Sequence, residues 1–219
     1  MPIADDLLDR IEDAADARVP LAEGAVLLRG FAATVAEDLL AAISAVTADA
    51  PFRHMVTPGG FRMSVAMSNC GATGWTTDRR GYRYAERDPE TGNPWPAMPD
   101  AFARLATAAA AAGGYERYVP DSCLINRYEP GAKLSLHQDR DERDYRAPIV
   151  SVSLGLPATF LFGGLERKQR PQRYRLRHGD VAVWGGASRL AFHGIDKLAD
   201  GEHPLTGRYR LNLTFRRAA

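Results

Sequence analysis

The stretch Lys133-Leu-Ser-Leu-His-Gln-Asp139 alternates as a strand does, so His137 and Asp139 share one face, roughly 7 Å apart along the chain. An imidazole and a carboxylate are thereby aimed at one point. A second imidazole, His193, follows beyond the strand-like Val181 to Trp184. Two histidines and one carboxylate on one face of a metal leave positions open, the arrangement of non-haem iron(II) oxygenases. Oxygen chemistry needs those positions because a co-substrate and O2 must bind together. A His-x-Asp pair also arises by chance, so the pattern needs support from elsewhere. The other three histidines, His54, His178 and His203, are read as surface or hydrogen-bonded residues.

That support comes from the C-terminal strand, Tyr209-Arg-Leu-Asn-Leu-Thr-Phe-Arg216. Leu211, Leu213 and Phe215 take one face, while Arg210, Asn212, Thr214 and Arg216 take the other. One reading is a half-exposed strand with a solvated polar face. The other is an anion clamp, since guanidinium pairs bidentately with carboxylate. A dicarboxylic 2-keto acid such as 2-oxoglutarate has a carboxylate at each end, one of which must also chelate the metal. Asn126 and Tyr128 share a face of their own strand and add an amide and a phenol.

These residues need a scaffold of strands. From Pro120 onward, strands are expected at Cys123–Tyr128, Lys133–Asp139, Ile149–Leu156, Thr159–Phe162, Gln172–Leu176, Val181–Trp184 and Tyr209–Phe215. Turn signals at Glu129-Pro-Gly131, Gly163-Gly164, His178-Gly-Asp180 and Gly185-Gly186 separate them. Seven short strands at this spacing imply a barrel or a two-sheet jelly roll with helices packed outside. The helices are expected at Asp5–Ala17, after a Thr34/Glu37 capping box, and from Pro99 to Gly113, with a strand at Ala25–Arg29. Phe52 to Asn93 shows little periodicity and is long for a loop, which marks it as functional.

The whole chain of 219 residues suits a single domain. Lys plus Arg number 28 against 27 Asp plus Glu, so any nucleic-acid contact must rest on a local patch. The clear basic stripe runs from Arg167 to Arg177, with Lys168, Arg170, Arg173 and Arg175 between and Glu166 beside it. Two cysteines, Cys70 and Cys123, are too few for a disulfide framework. With no signal-peptide pattern and no membrane-length apolar run, a cytoplasmic protein is expected. It is expected to be a monomer without an obligate protein partner.

Cys123-Leu-Ile-Asn-Arg-Tyr-Glu-Pro-Gly-Ala-Lys-Leu-Ser-Leu-His-Gln-Asp139, Ala147-Pro-Ile-Val-Ser-Val-Ser-Leu-Gly155 and Arg210-Leu-Asn-Leu-Thr-Phe-Arg216 together resemble the bacterial AlkB family of DNA alkylation repair dioxygenases. Phe52 to Trp75 and Asn93-Pro-Trp-Pro-Ala-Met-Pro99 extend the likeness, which runs from about Leu21 to Arg217. The resemblance implies a mainly β, α+β protein with flanking helices and a double-stranded β-helix core at 119–219. Residues 21–118 would form a helical support and a nucleotide-recognition lid at about 52–93. Residues 1–20 match poorly and would pack outside the catalytic core.

The same match implies that His137, Asp139 and His193 hold iron(II). Arg210, with Asn212 and Tyr128, would hold the distal carboxylate of 2-oxoglutarate, and Arg216 with Asn126 the chelating end. O2 oxidises that co-substrate to succinate and CO2, and the alkyl group leaves the base as an aldehyde. No general acid–base pair is needed; the protein must position the alkyl carbon. The partner would be alkylated DNA, with RNA left open, and lesions such as 1-methyladenine and 3-methylcytosine. Trp75 would stack on a flipped base against His137, Asp141 would accept from its exocyclic amine, and Met67 would line the base pocket. Thr57, Tyr82 and Arg167 would contact phosphate. Two rivals remain: the same chemistry on a protein or small molecule, because fold and cofactor do not fix substrate, and a non-catalytic barrel binding nucleic acid through the basic stripe.

Overall fold

The computed structural model describes residues 17–219, so the helix expected at 5–17 lies outside the described residues but for its last position. Thirteen strands are described. Seven form an antiparallel major sheet, in the order β1 (Arg18–Ala22), β2 (Ala25–Leu28), β11 (Val181–Trp184), β8 (Ile149–Gly155), β13 (Arg210–Arg216), β6 (Ser122–Tyr128) and β3 (Ala66–Gly71). Four form a minor sheet, in the order β10 (Gln172–Leu176), β9 (Ala158–Phe162), β12 (His193–Ile195) and β7 (Leu134–His137). A separate hairpin joins β4 (Gly74–Asp78) to β5 (Gly81–Ala85). The two helices are α1 (Ala36–Asp49) and α2 (Asp100–Ala112).

Period-two alternation gives the major sheet two different faces. Val150, Val152 and Leu154 of β8, Val181 and Val183 of β11, and Leu213 and Phe215 of β13 face the helices. There they meet Leu39, Ile43 and Val46 of α1 and Phe102, Leu105 and Ala109 of α2. The intervening residues face the minor sheet, where Ile149, Ala182 and Trp184 pack against Phe160, Phe162 and Ile195. Fully burying one such side chain contributes roughly 1.5–3 kcal/mol. Two sheets facing across a shared interior, with helices on the outside of one, make the jelly roll expected from the strand spacing.

The sequence-based expectations need correction in three places. Thr34 and Glu37 form no capping box: a 3-10 turn at Ala33–Val35 leads into α1, and no side chain caps it. Phe52–Asn93 is not a bare loop but contains β3, β4 and β5, with isolated bridges Arg53–Met67 and Val56–Arg62. β3 escaped notice because Ala66 to Cys70 are buried on both faces, which erases alternation. The third concerns Lys133–Asp139, where the strand stops at His137 and Asp139 lies beyond it.

β12 is only three residues long and is wedged between β7 and β9. Its central Gly194 lies against the β7 backbone, where an added Cβ would sit 2.6 Å from the Leu134 carbonyl oxygen. No backbone atom can give way there without the strands separating. Gly194→Ala should therefore part the strands carrying His137 and His193 and weaken divalent metal binding roughly 10–100-fold. A calorimetric metal titration checks this, and unchanged affinity would mean that the two strands tolerate the extra methyl.

Candidate metal and co-substrate site

His137 closes β7, His193 opens β12, and the two are register partners across the minor sheet. Directly opposed side chains on one face come within roughly 5 Å, and here the imidazole centroids lie 4.4 Å apart. Each ring turns Nδ1 toward a backbone carbonyl, Ser135 at 2.9 Å for His137 and Ala191 at 3.0 Å for His193. A carbonyl only accepts, so Nδ1 carries a proton and Nε2 is the ring atom that can offer a lone pair to a metal. Both Nε2 atoms face Asp139, 3.6 Å from Oδ1 for His137 and 3.8 Å from Oδ2 for His193. One ligand atom from each residue lies within 4.8 Å of the other two. Two imidazole Nε2 atoms and a carboxylate, converging on one point, fit an iron(II) ion with positions to spare.

Protonation states agree with that role. Burial alone would raise the Asp139 carboxyl, but Arg216 and then the two imidazoles outweigh it and hold it well below the usual carboxylate range. Burial, and then His137, push His193 down to about 4, so it is a neutral ligand at neutral pH. Arg216 grips Asp139 Oδ2 through Nε at 2.8 Å and Nη2 at 2.6 Å. Behind it sits Glu142, buried, with Arg216 Nε 3.3 Å from its Oε1. Glu142 also accepts from Tyr84 Oη at 2.7 Å and Arg189 Nη2 at 3.0 Å. Arg189 Nη1 donates to the Asp139 carbonyl at 2.8 Å. Two carboxylates and two guanidiniums thus neutralise each other in the interior.

Arg210 has no such carboxylate. It is 1% exposed; its Nε donates to Ser153 Oγ at 3.0 Å and its guanidinium lies 4.8 Å from the Tyr128 ring centroid. Its Nη1 is buried without a hydrogen-bond partner among the described residues. An uncompensated buried cation costs several kcal/mol, so this position calls for an anionic ligand. Asn126 Nδ2 donates to Asn212 Oδ1 at 3.1 Å, while Asn126 Oδ1 is also left without a partner. Asn212 Nδ2 donates in turn to Ser151 Oγ and the Val152 carbonyl. The polar face of β13 is therefore not solvated: Arg210, Asn212, Thr214 and Arg216 are all buried between the sheets.

Over this interior opens a cavity of about 730 Å³, lined by every residue to which the resemblance gave a metal, co-substrate or substrate role, from Thr57 and Met67 to Arg167 and Arg216. Trp75 of β4 stands at its mouth, stacked on Tyr82 at 5.7 Å and 18°. Asn69 fixes the Trp75 backbone with paired 3.0 Å bonds, Nδ2 donating to the Trp75 carbonyl and Oδ1 accepting from its N–H. The Trp75 indole donates to Asp141 Oδ2 at 2.8 Å, so one Asp141 oxygen is already engaged. Thr57 Oγ1 accepts from the Phe61 N–H and closes a turn, and Met67 lies opposite Asn126 on the floor. Arg167 lies over the Phe192 ring at 5.9 Å. Sequence reasoning missed Ser151 and Ser153, although they alternate with Val150, Val152 and Leu154 in β8. It also missed Trp184, Glu142 and Arg189, for which no spacing signal exists.

The family model for the 2OG-Fe(II) oxygenase superfamily matches residues 24–216. The chain belongs to that superfamily. Iron(II), 2-oxoglutarate and O2 are accordingly its cofactor and co-substrates. Among relatives within this oxygenase superfamily, the alpha-ketoglutarate-dependent dioxygenase AlkB of Salmonella typhimurium is 62% identical over 97% of this chain and 99% of its own. The AlkB of Escherichia coli is 61% identical over 97% and 98%. The solved structure of OsALKBH1 superposes with a TM-score of 0.76 at 30% identity, covering 89% of this chain and 98% of the other.

Removing one member of the buried quartet should expose its ionic character. Arg189→Met leaves Glu142 short of a cation and should cost about 3–5 kcal/mol in urea unfolding. Adding Glu142→Leu should restore part of that loss. Strict additivity of the two substitutions would mean that the pair does not interact.

Proposed function

We propose that this protein is an oxidative dealkylase of damaged nucleic-acid bases, 1-methyladenine and 3-methylcytosine among them, and that Arg210 is its anchor for the distal carboxylate of 2-oxoglutarate. The observation that carries the co-substrate assignment is the buried Arg210 guanidinium with an unpartnered Nη1. Near-full-length identity to AlkB dioxygenases supports the reaction, as do more distant relatives named as demethylases of DNA and of tRNA.

In this reading His137, Asp139 and His193 hold iron(II). Tyr128 and Asn212 flank Arg210 at the distal carboxylate, and Arg216 with Asn126 serves the chelating end. Arg216 is already bonded to Asp139, so it would steady a metal ligand and the co-substrate together. Bound iron, O2 and 2-oxoglutarate supply the oxidation that hydroxylates the alkyl carbon; succinate and CO2 leave, and the hydroxylated group departs as an aldehyde. The chain's own task is placement. Trp75 stacks on the extruded base, and Met67 bounds the pocket beneath. Asp141, carrying the Trp75 indole on one oxygen, favours the cationic lesions over neutral bases. Thr57, Tyr82 and Arg167 receive the flanking phosphates. A lesion on the pairing edge is weakly paired, so its extrusion costs less.

Anaerobic protein loaded with iron(II), then given 2-oxoglutarate, air and an oligonucleotide bearing one 1-methyladenine, should remove the methyl group with matching succinate. Mass spectrometry reads both, and Asp139→Ala should abolish both. Succinate without demethylation would instead favour a protein or small-molecule substrate. Trp75→Ala should weaken lesion binding by roughly 1–3 kcal/mol, while succinate formation without substrate persists. Equal loss of both would contradict base stacking.

A further inference from the structure

The basic stripe takes no part in the cavity beyond Arg167. Residues 166–177 hold six cationic side chains and one acid, a net +5 in a chain whose total is +1. The rest of the protein is thus net negative, and the positive charge is concentrated here. The stripe has a defined geometry. It starts at Arg167, exposed at the cavity mouth, and crosses the β9–β10 turn through the exposed Lys168 and Arg170. It then follows β10, the edge strand of the minor sheet.

Within β10, Tyr174 and Leu176 pair with Phe160 and Ala158 and pack inward. Arg173 and Arg175, opposite Leu161 and Thr159, are therefore on the outward face and are exposed. Alternation repeats those guanidiniums every roughly 7 Å along the strand. Arg173 is paired with Asp196, but both side chains are largely in water, where such a pair is worth little and exchanges readily. An outward arginine row on an exposed edge, continuous with the cavity mouth, complements a linear polyanion.

We propose that the β9–β10 turn and the β10 edge form a phosphate-backbone track. It would bind the phosphodiester chain beyond the nucleotide held in the cavity, without reading bases. This rests on the nucleic-acid reading above, and it adds a second, sequence-independent contact region. Such contacts release counterions, so affinity falls with salt by about 0.7–0.9 log units per log unit for each phosphate neutralised. The track would make the affinity for long substrates strongly salt-dependent and leave very short ones almost unaffected.

The test uses the full chain with Lys168→Gln, Arg170→Gln and Arg175→Gln together, all exposed and none lining the cavity. A Lys168→Gln/Arg170→Gln double variant, confined to the turn, guards against damage to β10. Fluorescence anisotropy with an undamaged labelled duplex measures binding without any need for turnover. A trinucleotide carrying 1-methyladenine measures the cavity alone. The expected result is a salt slope shallower by roughly 2 for the triple variant and at least about tenfold weaker duplex binding at low salt. Trinucleotide kcat/KM should be unchanged. An unchanged slope in both variants would overturn the track and leave a solvated charged face. A parallel fall in trinucleotide kcat/KM would also overturn it, because the charges would then act at the cavity. Failure of the dealkylation reading is distinguishable, since it would abolish trinucleotide turnover in the unmodified protein and leave the anisotropy result standing.

Discussion

Between the two sheets an apolar layer adjoins a buried polar region, and charge compensation in that region governs the site built around it. Asp139 and Glu142 are balanced by Arg216 and Arg189, every member buried and each held by hydrogen bonds to another. Such a network is tolerated only when complete, because a single missing partner leaves a buried charge. The quartet closes on itself, and Arg210 is the remaining cation of the β13 face. A fold that buries a guanidinium against Tyr128 and Ser153, with Nη1 unsatisfied, is stable as an apo-protein only at a penalty. Binding a carboxylate removes that penalty. The same imbalance that weakens the empty protein therefore becomes affinity for its co-substrate.

Antiparallel pairing places these charges. β13 is flanked by β6 and β8, so Asn212 faces Asn126 on one side and Ser153 on the other. Arg210 likewise lies opposite Tyr128, Thr214 opposite Ser151 and Arg216 opposite Ser122, while Leu213 and Phe215 meet Ile125, Val152, Cys123 and Val150 on the other face. A one-residue slip would send the arginines into the helix-packed core and the leucines into the cavity. Function and stability enforce the same register on β13, which explains why Arg210, Asn212 and Arg216 sit on a central strand, whereas Asp139 lies just beyond the end of β7.

What was legible in the sequence follows from this. The β13 alternation announced two faces, and the His137-Gln-Asp139 spacing announced a ligand pair, because both are local patterns. The choice between a solvated and a buried polar face was not local: it depended on a second sheet covering Arg210 and Arg216. His193 stood out only as a histidine. Nothing in His193-Gly-Ile195 signals a strand, and its placement opposite His137 arises from pairing with chain 56 residues away. Glu142 and Arg189 carry no local signal of burial, since residue type alone favours exposure for both. The strands β3 to β5 were hidden for the opposite reason: β3 is buried on both faces, and β4 and β5 are rich in glycine and in hydroxyl and aromatic residues with no clean period.

The β4–β5 hairpin and the metal ligands are tied together through one short piece of chain. Trp75 and Tyr84 are cross-strand partners in the β4–β5 hairpin, and their polar tips reach Asp141 and Glu142, two and three residues beyond Asp139. The two bonds differ in strength. The Tyr84–Glu142 bond is part-buried and goes to a carboxylate already held by two guanidiniums, which places it in the range of about 1.5–3 kcal/mol. The Trp75–Asp141 bond is exposed, and water competes for both partners. Displacing the hairpin loads both at once, and the exposed bond yields first. The Tyr84 end is thus the anchor, tied through Glu142 to Arg216 and so to Asp139 Oδ2. The Trp75 end is the part that can yield, and it carries the ring that stands at the cavity mouth.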